Sequence, residues 1–335
     1  MDGMPMRRED AADPHKGGAK VNLPNFAFFK GKVVPYSDAK VGIMTHTIHY
    51  GTGVFGGLRG FWNNEEQQLF VFRPADHFRR FMDSCKMICM DLPYTAADLQ
   101  KGMMDLLRAE DFKTNCYIRP LAYFCDEIIG VRLHDLTAEA AIMAIPFGSY
   151  VDNEEGLHVT FSSWRRIDDN MIPARGKISG AYVNSALIKT DAQRAGFDEA
   201  LVLNQDGHLA EGSAANTVII RNGIAVTPPV TDNILEGITR RTVLKLLRDE
   251  LKIEVQERPV DRTEVFLAEE VFFCGTGVQI AAITKIDHRP IGTGRIGRIT
   301  AELRKLYFNV VQGRLPKYID WCAPVYARAE TAAKR

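Results

Sequence analysis

Four stretches of this chain carry residue types suited to chemistry. The first is "IPARGKISGAYVNSALIKTDA", residues 172–192, with Lys177 on a bend of small residues. Gly176 precedes the lysine, Ser179 and Gly180 follow it, and no acid lies within several positions. Surface lysines usually sit on polar faces beside acidic partners, so this amine poses a question. The second stretch is "GHLAEGSAANTVII", where Glu211 is flanked by Gly212 and other small residues. A carboxylate among small residues can approach a ligand closely. In the third, "NILEGITRRTV", Gly237 opens a helix whose free N–H groups, with Thr239, can hold a phosphate. In the fourth, "FFCGTGVQI", Gly275-Thr276-Gly277 ends an apolar strand and can form a backbone nest for an anion. Each also has a plainer reading: a solvated turn acid, an ordinary helix start, a tight turn.

Other motifs are weaker. "GTGVFG" (51–56) and "GTGRIG" (292–297) match the dinucleotide fingerprint, which needs a strand before the glycines and a helix after them. The first runs into a strand-like "GLRGFW", and the second has no βαβ unit behind it, so turn-making explains both better. The six cysteines are scattered without a CxxC; Cys85 and Cys89 are four apart in an expected helix and could share a face. Buried thiols in a reduced cytoplasm account for them. His46 and His49 have no cluster of partners, so no metal is expected.

The elements that must position these residues are legible from pattern. "NFAFFKGKVVPY" reads as two strands around a turn, and "LFVF" (69–72) as a strand. "ADHFRRFMDSCKMICM" reads as a helix with Phe78, Phe81, Met82 and Cys85 on its apolar face. "ADLQKGMMDLLRAEDF" is a second helix, followed by the strands "CYIRPLAYF" and "EAAIMAIPF". "GSYVDNEEG" (148–156) breaks the pattern as a linker. Beyond it come the strand "LHVTFSSW" and the Lys177 bend. The helix after the bend is expected to share one face among Tyr182, Ser185, Ala186 and Ala192. "ALVLNQDGHLAEG" and "NTVIIRNGIAVTP" read as hairpins on Asp-Gly and Asn-Gly turns. "GITRRTVLKLLRDEL" is an amphipathic helix, and "ITAELRKLYFNVV" a last one.

The bulk numbers fit an α+β chain in two domains. Its 335 residues exceed what a single core of roughly 250–300 residues usually supports. Lys+Arg and Asp+Glu both number 42, which argues against a general nucleic-acid or membrane-surface binder. The polar start, residues 1–20, reads as a flexible extension without an apolar signal core, and no apolar run is long enough to span a bilayer. The remaining division is 21–147 for a small N-terminal domain, 148–156 for the linker, and 157–335 for a large domain carrying Lys177.

Taken together, "DAKVGIMTHTIHYGTGVFGGLR", "CYIRPL", "IPARGKISGAYVNS", "EGSAAN", "GITRRTV" and "CGTGVQI" resemble the branched-chain aminotransferase family. These are class IV, fold type IV enzymes that use pyridoxal 5'-phosphate. The resemblance covers about residues 24–322. It implies an N-terminal α/β sandwich domain and a C-terminal pseudo-barrel α/β domain. It also implies a cytoplasmic enzyme of branched-chain amino acid metabolism, at least a homodimer, with no nucleic-acid or membrane partner.

The resemblance also implies roles. Lys177 would form the Schiff base with the cofactor aldehyde and carry the proton at the substrate Cα, which requires a neutral amine. Glu211 would keep the pyridine nitrogen protonated, and Tyr182 would hydrogen-bond the cofactor 3-oxygen. Arg80 would grip the phosphate, with Arg79 as the alternative if the register is off by one. Ile238, Thr239 and Thr276 would add donors. Tyr117, Arg119, Thr276 and Gly277 would lie near the substrate α-carboxylate. Tyr50, Phe55, Val131, Phe147 and Tyr150 would make the side-chain pocket, with Arg59 at its edge, and Tyr50 and Val131 lent by the partner subunit.

The chain departs from the family's usual pattern in three places. Phe55-Gly56-Gly57 stands where Phe-Glu-Gly is usual, and Gly275-Thr276-Gly277-Val278-Gln279 where Gly-Thr-Ala-Ala-Glu is usual. Phe147 stands where tryptophan is common. Gly56 and Gly277 both remove bulk, so a wider pocket is expected. The resemblance implies transfer from leucine, isoleucine or valine to 2-oxoglutarate. The competing readings are a D-amino-acid aminotransferase, an aminodeoxychorismate lyase or an (R)-amine transaminase on the same cofactor, and, more remotely, a dinucleotide-binding oxidoreductase or a binding module.

Overall fold

In a computed structural model that describes residues 23–148 and 156–327, the chain forms two mixed layers of sheet and helix. The first half supplies β1 (Phe26–Phe29), β2 (Lys32–Pro35), α1 (His46–Tyr50), β3 (Val54–Phe55), β4 (Leu58–Asn63) and β5 (Gln68–Phe72). Two long helices follow, α2 (Pro74–Met87) and α3 (Ala96–Glu110), then β6 (Cys116–Phe124) and β7 (Ala138–Pro146). Pro74 opens α2, where its missing N–H costs nothing. A reciprocal Thr95–Asp98 capping box opens α3. The apolar faces of both helices pack on the sheet in one core, with Phe78, Leu99, Met103, Leu106 and Ile118 fully buried. Each such side chain contributes about 1.5–3 kcal/mol by leaving water.

The register of this sheet prepares the site. β6 and β7 pair antiparallel along their whole length, from Cys116↔Pro146 to Phe124↔Ala138. Successive strand side chains alternate between faces, so Tyr117 and Arg119 share one face while Cys116 and Ile118 enter the core. β4 runs beside β6 with Arg59 opposite Tyr117, and β3 sets Phe55 opposite Leu121. Phe55, Arg59, Tyr117 and Arg119 therefore line a single face.

The second half supplies β8 (Leu157–Arg165), α4 (Tyr182–Arg194), β9 (Glu199–Leu203), β10 (Leu209–Gly212), β11 (Asn216–Arg221) and β12 (Ile224–Thr227). It continues with α5 (Ile238–Asp249), β13 (Val255–Glu257), α6 (Arg262–Phe266), β14 (Glu270–Gly275), β15 (Gln279–Ile286), β16 (Arg289–Pro290) and α7 (Arg298–Val311). Both expected hairpins form, β9–β10 and β11–β12. The sheet order is β10-β9-β8-β15-β14-β11-β12-β13, with β16 on β15. β8 and β9 are parallel neighbours, and parallel strands need a long crossover. That crossover is the Lys177 loop and α4.

The two sheets are tied at several points. The last strand, β17 (Cys322–Pro324), follows the second sheet in sequence but pairs with β5 of the first. Its Cys322 joins the core under α7. Arg73, ahead of α2, donates to Thr242 on α5. Among the described residues no helix is long and apolar enough to cross a membrane.

Two local expectations are corrected. Cys89 lies past the end of α2 with φ of 55° and is exposed, so it does not share the face of buried Cys85. On α4, Ser185, Ile188 and Ala192 are buried, whereas Ala186 faces out. Neither glycine motif builds a dinucleotide site. "GTGVFG" leads into β3 and β4, and "GTGRIG" follows an antiparallel hairpin. The start of α7 is also filled: Glu270 accepts from the amides of Ile299 (2.9 Å) and Thr300 (2.7 Å), where a phosphate would need to sit.

Candidate active site

Lys177 sits where the two sheets touch. Its carbonyl accepts from the Phe55 amide (3.0 Å), Ile178 bridges Val54, and Ser179 N–H donates to Gly53 O (2.7 Å). Gly180 N–H donates to Gly51 O (2.9 Å), and a side chain on Gly51 would lie 3.2 Å from Gly180 Cα. Two backbones pass closely here, and Gly51 takes a φ of 65° that residues other than glycine rarely adopt.

The amine end of Lys177 lies over an aromatic shelf. Nζ donates to the Tyr182 hydroxyl and lies 4.9 Å from the Phe55 ring centre and 4.8 Å from that of Tyr182. Burial first, and the nearby Arg80 charge second, pull its pKa from the ordinary lysine range to about 7. The amine is thus substantially neutral near neutral pH, as nucleophilic attack requires. Burial pushes the Tyr182 phenol up to about 12.

From this shelf a chain of contacts runs across the first sheet. Arg119 stacks over Phe55 (4.7 Å) and donates to the Tyr117 hydroxyl (2.9 Å). Tyr117 packs on Phe147 (5.6 Å). Arg59, expected only at the edge, is buried; it lies 4.8 Å over Phe147 and donates to the carbonyls of Phe147 and Gly148. Its Nε and Nη1 are buried without a partner among the described residues.

On the other side lies Glu211, at 3% exposure. Arg166 pairs with it at 2.9 Å, Asn216 donates to it at 3.0 Å and the Leu235 amide at 3.2 Å. Burial raises its pKa, while Arg166 pulls the other way. Asn216 also donates to Leu235 O, and a side chain on Gly237 would strike the Asn216 amide oxygen at 2.0 Å. Asn216 thereby fixes the start of α5 against Glu211. The quoted "EGSAAN" held Asn216, but Arg166 escaped notice because only tertiary pairing distinguishes it from its neighbour Arg165.

The start of α5 is open. No side chain caps it, so the first amides, at Ile238 and Thr239, keep their donors for an outside acceptor. Arg80 reaches this point by donating to Glu236 O (3.2 Å) and has no carboxylate partner among the described residues. Arg79 points away, 70% exposed and paired with Asp76. A cavity of about 470 Å³ lies beside Arg80, lined also by Asp83, Lys86, Met87, Arg175 and Glu236. The turn of Thr276 and Gly277 joins β14 to β15, next to Ala215.

Some expected residues stand apart. Tyr50 accepts from the Gly130 amide (3.0 Å) and packs on His46, and Val131 beside it is 89% exposed. Among the described residues, no hydrogen bond or ring contact joins either side chain to the Lys177 cluster. Tyr150 lies outside the described residues. The two glycines thought to widen the pocket differ: a side chain on Gly277 would meet nothing within 4 Å, whereas one on Gly56 would strike Pro120 at 2.7 Å and approach Phe81. Gly56 faces the core, so the expectation of a pocket widened there is wrong.

A buried amine of depressed pKa, between an arginine with no carboxylate partner among the described residues, an uncapped helix start and a paired carboxylate, suits amine and carbonyl chemistry on a phosphate-bearing cofactor. The match to the family model for class IV amino-transferases spans residues 53–286. The chain belongs to that family, among the branched-chain-amino-acid aminotransferases. It is 47% identical to a probable branched-chain-amino-acid aminotransferase of Aquifex aeolicus, over 90% of this chain and 97% of that one. It is 34% identical to the Escherichia coli K12 branched-chain-amino-acid aminotransferase, over 89% and 96%. The branched-chain aminotransferase of Thermoproteus uzoniensis, solved with norvaline, superposes with a TM-score of 0.87 at 40% identity, over 90% and 100%. The Thermobaculum terrenum enzyme in its PLP form gives 0.87 at 38%, over 91% and 99%.

Proposed function

We propose that this enzyme transfers the amino group of leucine, isoleucine or valine to 2-oxoglutarate, with pyridoxal 5'-phosphate as cofactor. The observation that carries the reading is the Lys177 amine, its pKa lowered to about 7, on its Phe55–Tyr182 shelf between Arg80 and Glu211. The residues fit the cofactor. Among the described residues Arg80 has no carboxylate partner and the α5 start has no side-chain cap, unlike the α7 start filled by Glu270.

When bound, pyridoxal phosphate supplies an aldehyde for amine exchange and a ring that accepts electrons from the substrate Cα. Arg80, the Ile238 and Thr239 amides and Thr276 hold its phosphate. Glu211, paired with Arg166, would hold a proton at the ring nitrogen. Tyr182 orients the ring through its 3-oxygen. Lys177 Nζ moves the proton on and off the substrate Cα. Tyr117, Arg119 and the Thr276–Gly277 amides orient the substrate carboxylate, and Phe55, Phe147 and Arg59 bound the side-chain space.

The two-domain division, 21–147 and 157–335 around a linker at 148–156, belongs to this proposal, with β17 returned to the first unit. So does a homodimer. Ile43, Ile48 and Val183 are 84%, 56% and 64% exposed, and the Gly51–Gly180 contact joins α1 to the start of α4. A second copy covering this apolar face is placed to receive Tyr50 and Val131. Six free thiols agree with a reducing cytoplasm.

The test is a panel of L-amino acids, D-amino acids and (R)-amines offered to the purified protein, read by cofactor absorbance. Conversion with L-leucine, L-isoleucine and L-valine is expected. Conversion with D-amino acids or amines alone would overturn the reading.

A further inference from the structure

We propose that Ser84 is a positioning residue that ties the helix of Arg80 to the loop of Lys177 and so sets where the amine stands. The proposal rests on the functional reading above. Ser84 is fully buried on α2, one turn beyond Arg80. Its hydroxyl donates to Arg80 O (2.8 Å), and the Lys177 amide donates to the same hydroxyl (3.1 Å). Two linked hydrogen bonds thus run from the lysine backbone to the arginine backbone, 97 positions earlier in sequence by the difference of their numbers.

The accounting of backbone partners shows why this link matters. Beyond Lys177, the loop is zipped to residues 51–55 by the Lys177 carbonyl, Ser179 N–H and Gly180 N–H. Ahead of Lys177 the backbone bonds are local, such as Gly176 N–H to Pro173 O (3.1 Å), while the Arg175 side chain pairs with Glu236 (2.9 Å). Ser84 is the group that satisfies the Lys177 amide, and a buried amide without a partner drives the backbone to move. A serine inside a helix commonly spends its hydroxyl on the carbonyl four residues back. Here the oxygen's remaining capacity receives the lysine amide. Loss of the hydroxyl frees the front of the loop from α2, so the amine drifts from Arg80 and toward water. Both changes restore ordinary lysine behaviour, since burial and the Arg80 charge are what hold the amine neutral.

The test uses the cofactor-free full chain, labelled with pyridoxal and borohydride across pH and read at Lys177 by mass spectrometry. S84A removes the hydroxyl, and S84C removes it while keeping the volume; circular dichroism checks that both fold. Wild type is expected to label with a midpoint of about 7. Both variants are expected to shift that midpoint upward by about one unit, with about tenfold less labelling at neutral pH. Variants that lose thermal stability but keep the wild-type midpoint overturn the proposal, because a purely structural serine would behave so. A shift in S84A alone also overturns it, since volume then decides. If wild type itself is not labelled at Lys177, the functional reading fails as well. Labelled wild type with unmoved variants rejects the role of Ser84 alone.

Discussion

The two sides of the site are built differently. On the cofactor side, Glu211, Asn216, Arg166 and the Lys177 amide are enclosed, and each has a named partner. On the side proposed for the substrate, Val131 and the Gly277 turn stand open among the described residues, and Tyr50 packs on His46 and accepts from the Gly130 amide. Enclosure fixes charge and position where the chemistry is common to the whole family. Openness leaves room where substrates differ. Changes on the first side should therefore cost orders of magnitude in rate, and changes on the second should shift preference.

The sharpest test is Lys177→Ala. Both the proton carrier and the covalent anchor go, so transamination is expected to fall by more than about 10⁴-fold, while Arg80 and the α5 start still bind cofactor. Near-normal half-reaction rates would break the assignment. Glu211→Gln follows. It leaves Arg166 without a countercharge and the ring nitrogen without its proton. Removal of the Cα proton is expected to slow by about 10²–10³-fold, measured with single-turnover kinetics and a deuterated substrate.

Two glycines divide the comparison more finely. Gly56→Glu forces a side chain into Pro120 and Phe81, so it is expected to destabilise the fold by about 1–3 kcal/mol or more, seen in denaturant unfolding. Unchanged stability would mean the strand can turn that face outward. Gly277→Ala meets no protein atom, so only substrate should feel it. The ratio of kcat/KM for L-leucine over (R)-1-phenylethylamine is expected to rise, by less than about tenfold, near the low end of what one methyl group discriminates. A ratio that stays still or favours the amine would show that this turn serves only the backbone.

A pH measurement links the sides. A depressed amine pKa means that the neutral fraction rises about tenfold per unit below the pKa and levels above it. Pyridoxal labelling of Lys177 should therefore climb with pH and level off above about 7. Arg80→Gln removes the charge that opposes protonation, so the midpoint should move upward; a downward or absent shift would show that burial alone sets it.

Much of this protein was legible in one dimension. The 3.6-residue face of α2, the Asp-Gly and Asn-Gly hairpins, and the small residues around Lys177 and Glu211 are local signals, and local forces honour them. The period-2 alternation of "CYIRP" put Tyr117 and Arg119 on one face before any strand had a neighbour. What the sequence left open depends on contacts between distant segments. Gly56 and Gly277 look alike as letters, yet Pro120 stands against one and nothing against the other. Arg79 and Arg80 are adjacent, and only the packing of α2 against the second sheet turned one inward. Arg166 became the partner of Glu211, and Ser84 that of Lys177, across 45 and 93 positions by the difference of their numbers. Chain order holds no record of such pairings, because burial and charge act through distance in space, and only the folded chain sets those distances.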